Sequence, residues 1–152
     1  MAGASAMPAL SSEAKPQWQV PAGWQPTQGG AFLVAKFLIS GTDSEQAAVN
    51  VSAAGGDLLA NVNRWRRQLG LAPLADNQLP QAVSSLDLPE GKATVVDMTS
   101  DAANNGLKTR LVAAVVPHGQ QTWFYKLMGG ESLVAQQKDA FLKFVQSAKY
   151  PE

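Results

Sequence analysis

The chain has no cysteine and a single histidine among its 152 residues. Without thiols there are no disulfides, no thiolate nucleophile, no cysteine-ligated zinc and no iron–sulfur cluster. One histidine, His118, is too few for a zinc site built on imidazoles. It also falls in an expected hairpin turn, and no Gly-x-Ser-x-Gly elbow occurs, so no motif pairs a nucleophile with a base. Charge is scarce too, at 16% of residues against a usual share of about 25%. The twelve basic and twelve acidic residues cancel, which leaves no global field favouring nucleic acid or an anionic membrane. No run approaches the roughly 18–20 apolar residues needed to span a bilayer.

Other chemistries fail on spacing. Asp97, Asp101, Asn104, Asn105 and Gly106 do not follow the Asp-x-Asp-x-Asp-Gly pattern of a calcium loop, and no glutamate closes it. Asn104-Asn105-Gly106 reads as turn chemistry. Gly91-Lys92 lacks both the upstream glycine and the following Ser/Thr of a phosphate loop, and no Gly-x-Gly-x-x-Gly is present. Paired carboxylates for glycoside cleavage are defined by their separation in space, and several of the few acids here sit in turn or cap positions. No cofactor is implied.

What the chain does contain is an alternation of sheet-like runs with two amphipathic helices. Met1 to Pro16 is small, polar and aperiodic, and reads as a flexible linker or leader remnant; residues 17–152 read as one domain. Ala4-Ser5-Ala6 has the small-x-small form of a signal-peptidase site, although no hydrophobic segment precedes it. Gln17 to Val20 is a short β-like run ended by Pro21. Gly30 to Ser40 and Gln46 to Ser52 form a hairpin around Gly41-Thr42-Asp43. The stretch from Leu71 to Leu88 is less regular, with a short helix expected from Asp76 to about Ser84. Lys92 to Thr99 is a strand, and Leu107 to Val116 pairs with Gln121 to Met128 in a second hairpin. The expected architecture is α+β, a central antiparallel sheet of about six strands covered by helices.

The two helices are the most distinctive segments. After Gly55-Gly56, Asp57 is a natural N-cap. At 100° per residue Leu58, Val62, Trp65 and Leu69 share a stripe roughly 60° wide, so these are expected to dock the helix. Gly70 suits the C′ position. Asn63, Arg64 and Arg67 lie outside the stripe and form the candidate partner-binding surface, since arginine is favoured in interface hot spots. The last helix runs from Glu131 to about Ala148. Gln137 projects into its apolar face and needs a hydrogen-bond partner, because an unpaired buried amide costs roughly 1–3 kcal/mol. Trp123, Tyr125 and Leu127 share one face of the preceding strand, Phe124 and Met128 the other, and Trp123 is a further expected anchor.

Several of these blocks resemble a family of uncharacterised bacterial proteins that are mostly exported or lipid-anchored. They are Val20-Pro21-Ala22-Gly23-Trp24, Gly55-Gly56, Leu59-Ala60-Asn61-Val62-Asn63-Arg64-Trp65-Arg66, Gln68-Leu69-Gly70-Leu71 and Thr122-Trp123-Phe124-Tyr125-Lys126-Leu127. The element order also resembles the PsbP-like fold, whose members include an extrinsic photosystem II subunit and the Mog-type Ran-binding proteins. The resemblance implies an α/β/α sandwich, an exported or periplasmic location, lipid anchoring upstream of Met1, and an accessory role rather than catalysis. The functional expectation is therefore a non-enzymatic protein that binds another protein. The alternative is a small-ligand or ion-binding module with a pocket near Trp65, Trp123 and the Gly55-Gly56 loop.

Overall fold

A computed structural model describes residues 16–28, 33–41, 45–54, 57–89, 91–101, 108–118 and 121–150. Seven strands form one antiparallel sheet. In chain order they are β1 (Gln25–Thr27), β2 (Ala35–Ser40), β3 (Gln46–Ala54), β4 (Val83–Leu88), β5 (Gly91–Thr99), β6 (Thr109–His118) and β7 (Gln121–Gly130). Their order across the sheet is β1-β2-β3-β7-β6-β5-β4. The helices are α1 (Leu58–Gln68), α2 (Leu79–Ala82) and α3 (Glu131–Ser147), with a 3₁₀ turn at Asp76–Gln78 before α2. The α+β architecture is as expected, with seven strands in place of six.

The difference in count has three sources. The run at Gln17–Val20 is not a strand of the sheet; only Gln17 bridges, to Lys149. Gln25–Thr27 instead supplies the edge, pairing with Lys36–Leu38. Val83–Leu88 is a strand, where the sequence predicts a helix to about Ser84 and irregular chain after it. The reason is that α2 lasts only one turn before the chain pairs with β5. Of the expected tail at 1–16, only Pro16 is among the described residues, and it is buried.

Strand alternation divides the core into two layers. On one side Phe37, Ile39, Val49, Val51, Val112, Ala114, Tyr125 and Leu127 pack with Leu133, Val134, Phe141, Phe144 and Val145 of α3. On the other, Val96, Met98, Leu111, Ala113, Val115 and Phe124 pack with Val62, Trp65 and Leu69 of α1. Fully burying one such side chain stabilises by about 1.5–3 kcal/mol, so each helix is held chiefly by its apolar face. β6 and β7 carry buried residues on both faces because each lies between the two helical layers.

The N- and C-terminal ends of the domain meet beside α3. Gln17 and Lys149 exchange backbone hydrogen bonds of 2.9 Å in each direction. Trp18 Nε1 donates to the Tyr125 hydroxyl at 3.0 Å, and that hydroxyl lies 2.6 Å from the Tyr150 hydroxyl. Tyr125 is fully buried, so these partners satisfy a phenol that water does not reach. Burial pushes both tyrosine hydroxyls above their ordinary titration range.

Candidate functional site

α1 is built as its residues dictate. The Asp57 carboxylate accepts a hydrogen bond from Ala60 N at 3.0 Å, satisfying one free donor of the first turn. At the other end Gly70, at φ 76°, donates to Arg67 O, and Leu71 donates to Arg66 O at 2.8 Å. This 5→2 and 6→1 pair is a Schellman motif, which requires the left-handed conformation that glycine takes without strain. Val62, Trp65 and Leu69 are buried, and Trp65 stands edge-on to Phe124 with ring centroids 6.1 Å apart. Leu58 is half-buried against the same cluster.

The polar side chains of α1 separate into engaged and exposed ones. Asn61 is buried, with its amide donating to Asp57 O. Asn63 spans the following loop, donating to Leu74 O at 3.1 Å and accepting from Leu74 N at 2.8 Å. Arg66 Nε donates to Ala72 O at 2.6 Å. Of the three residues expected to form a partner surface, Asn63 therefore secures a loop, while Arg64 and Arg67 are exposed.

Next to Arg64 the sheet carries an unusual polar row. Lys36 of β2, Asn50 of β3 and Lys126 of β7 are direct cross-strand partners, so they share the face on which α1 lies. Beyond Lys126 the same row continues as Ala113 and Val96, which are buried under α1. Lys126 is half-buried, and its ammonium reaches Gln68 Oε1 at 3.5 Å. Burial, reinforced by the positive charge of Arg64, lowers its pKa below the ordinary lysine value. Among the described residues only Asp87 and Asp97 serve as acidic ion-pair partners, to Lys92, Arg110 and Lys138, none of which belongs to this row. The Asn50 Oδ1 atom is buried without a hydrogen-bond partner. Leu38, one step along β2, is 46% exposed. Sequence reading did not single out Lys36, Asn50 or Lys126; the signal was a polar position recurring in three otherwise apolar strands.

The remaining expected positions lie on the α3 side. Trp123 packs into the α3 cluster, whereas Trp65 belongs to the α1 cluster. The sheet separates them, so no single pocket joins the two indoles; Gly55-Gly56 lies outside the described residues. Gln137 Oε1 accepts from Trp24 Nε1 at 2.9 Å, which gives its amide the partner that its position requires. Trp24 is buried and Trp18 half-buried against the same cluster, so both tryptophans serve packing. His118 is not an exposed turn residue: it ends β6, half-buried, stacked on Tyr150 at 4.7 Å between ring centroids. A cavity of about 390 Å³ opens there, lined by Leu88, Lys92, Val116, His118, Val145 and Tyr150 among others.

Asp97 holds a structural ion cluster. Its carboxylate accepts from Arg110 Nε and Lys138 Nζ, each at 2.8 Å. Partial burial alone would raise its pKa, but the two cationic donors outweigh that and hold the carboxyl below its ordinary value. The pairing ties β5 and β6 to α3. Asn104, Asn105 and Gly106 lie outside the described residues, and among those described no group of three or more His, Asp or Glu side chains is arranged to hold a metal.

No protein-family model and no curated protein matches the chain. Among the solved structures that resemble it in fold are the following two. One is a crystal structure from Bacteroides thetaiotaomicron VPI-5482, with a TM-score of 0.54 and 9% identity over 92% of this chain. The chain spans 49% of that protein's length. The other is LpqN of Mycobacterium tuberculosis, described as involved in cell envelope biogenesis. Its TM-score is 0.54 at 12% identity, covering 91% of this chain and 86% of LpqN. The likeness is one of fold. Among the described residues no helix is long and apolar enough to cross a membrane.

Proposed function

We propose that the chain is a non-enzymatic accessory protein of the bacterial cell envelope, and that it binds another protein through the arginine-bearing side of α1. The observation that carries this reading is an uncompensated positive edge on a chain of zero net charge. Arg64 and Arg67 are exposed on α1, Arg64 acts on half-buried Lys126, and no carboxylate among the described residues pairs with any of the three. Such an edge complements an acidic partner surface, and arginine is the cation most often found carrying interface energy. The envelope location is supported by the likeness to LpqN and by the resemblance to exported families; the PsbP-like lineage and lipid anchoring belong to the same proposal.

The test is capture of partners from the native envelope fraction by the wild-type chain and by an Arg64→Ala/Arg67→Ala variant. Loss of two hot-spot arginines weakens binding by about tenfold or more per residue. Equal capture of one partner by both proteins removes this surface from consideration.

The second reading is a small-ligand module, and the cavity beside His118 and Tyr150 favours it. Its volume falls within the roughly 300–1,000 Å³ typical of ligand pockets. Reproducible thermal stabilisation by a small molecule, lost in a Val116→Trp variant that fills the cavity, would place the ligand there.

A further inference from the structure

The row formed by Lys36, Asn50 and Lys126 is difficult to account for as a purely structural device. The same face of the sheet is apolar under α1, where Ala113, Val96 and Phe124 are buried. A row that only completed the core would continue in that character. It instead turns to two lysines flanking an amide, and the inner lysine stands half-buried near a third cation, Arg64. Like charges brought together in a partly desolvated site repel, and desolvation adds to the cost. Proteins ordinarily relieve such a site with a carboxylate. Among the described residues the acids that form ion pairs lie elsewhere: Asp87 pairs with Lys92 at the β4–β5 turn, and Asp97 with Arg110 and Lys138 under α3. Among the described residues, the side chain that hydrogen-bonds the Lys126 ammonium is the neutral Gln68 amide, at the long distance of 3.5 Å. One of the two cross-strand neighbours of Lys126, Asn50, leaves its Oδ1 buried and unpaired. An anion would answer the excess of positive charge, pairing the Lys126 ammonium with the Arg64 guanidinium. The Asn50 Oδ1 atom is itself an acceptor and takes no hydrogen bond from an anion, so Asn50 contributes to the site only by its place between the two lysines.

We infer that the α1 margin of the sheet, between Lys126 and Arg64 with Lys36 and Asn50 beside them, is a binding site for a small molecule bearing a carboxylate or phosphate group. The guanidinium offers a two-pronged hydrogen-bonding edge to either group, and the ammonium a point charge. Both groups share the chemistry of a compact oxyanion, and the measurement separates them. The site shares Arg64 with the proposed partner surface but needs no protein partner, and Arg67 lies outside it.

The test titrates the full chain with inorganic phosphate and, separately, with citrate, against sodium chloride at matched ionic strength. Side-chain NMR of the lysine ammonium groups is the readout, with thermal unfolding beside it. Saturable binding in about the millimolar range is expected, with the Lys126 titration moving upward when the site is filled. Lys126→Met weakens binding by about tenfold or more, whereas Lys126→Arg retains it and Arg67→Ala leaves it unchanged. Asn50→Asp provides a second test, because it supplies an internal carboxylate next to Lys126. That variant is expected to bind neither anion and to unfold at a higher temperature than the wild type. Binding of one anion alone assigns the ligand class; binding of both supports the shared site. The inference is overturned if neither anion gives a saturable shift beyond that of chloride, or if Lys126→Met binds as the wild type does. It is equally overturned if Asn50→Asp retains full affinity. Loss of partner capture by Arg67→Ala with anion binding intact separates this site from the protein-binding reading.

Discussion

At the scale of single residues, the positions that matter most are those whose neighbours leave no alternative. Gly129 stands directly opposite Ala47 in the β3–β7 ladder. A Cβ added at Gly129 would lie 2.6 Å from Ala47 Cα and also against the Gln46 carbonyl. Backbone, not a flexible side-chain end, fills that space, so the two central strands would have to part. Gly129→Ala is therefore expected to destabilise by about 1–3 kcal/mol or more, as overpacking does in a close-packed core. Urea unfolding would read this as a lower midpoint, and an unchanged midpoint would show that the ladder yields freely. Gly129-Gly130 ends β7 directly before α3, and at Gly129 the backbones also approach closely, which the sequence alone does not reveal. Asp57, Gly70 and the burial of Val62, Trp65 and Leu69 were legible because each depends on local chemistry alone. The row of Lys36, Asn50 and Lys126 was not, since it exists only once three strands from distant parts of the chain are in register.

At the scale of elements, α1 and the loop that follows behave as one unit. Leu71, Leu74 and Leu79 pack against the α1 cluster although they lie outside the helix. The amide of Asn63 fixes this return by holding both backbone groups of Leu74. A helical wheel places Asn63 away from the apolar stripe, and so marks it as available for recognition. It carries no information on where the chain comes back, which is why the loop clamp escaped notice. Asn63→Ala should cost about 1–2 kcal/mol, the usual penalty when buried or half-buried backbone groups lose a partner. Its distinctive readout is hydrogen exchange: the Leu74 amide should exchange faster while the amides of β6 remain protected. Uniform acceleration across the domain would instead indicate a general loss of stability. β4 shows the same limit of local reading. Leu86 and Leu88 alternate as a strand should, yet Asp76 and Pro80 just before them are good helix-start residues. Pairing with β5 decides the conformation, and α2 is cut to one turn.

At the scale of the whole molecule, the three-layer arrangement was readable from two amphipathic helices separated by hairpins, while the electrostatic ties between layers were not. Asp97 is the main tie on the α3 side, joining β5 to Arg110 of β6 and to Lys138 of α3. Sequence reading raised it only as a cation ligand and set that aside on spacing. Its pKa is lowered in the folded state, so the folded chain binds its proton less readily than the unfolded chain does. The stabilisation it provides is therefore complete above the carboxyl's ordinary value of 3.8 and is lost as the pH falls through the lower folded value. About a quarter of the Asp97 side chain remains accessible, at 27%, and solvent screening limits the contribution to about 1 kcal/mol. Asn preserves the shape but not the charge, so Asp97→Asn should lower stability by about that amount at pH 7. The gap between variant and wild type should then narrow steadily as urea titrations move below the ordinary carboxyl range, because the wild type is itself becoming neutral there. A gap that stays constant down to the acid limit would assign the role of Asp97 to hydrogen-bond geometry rather than charge.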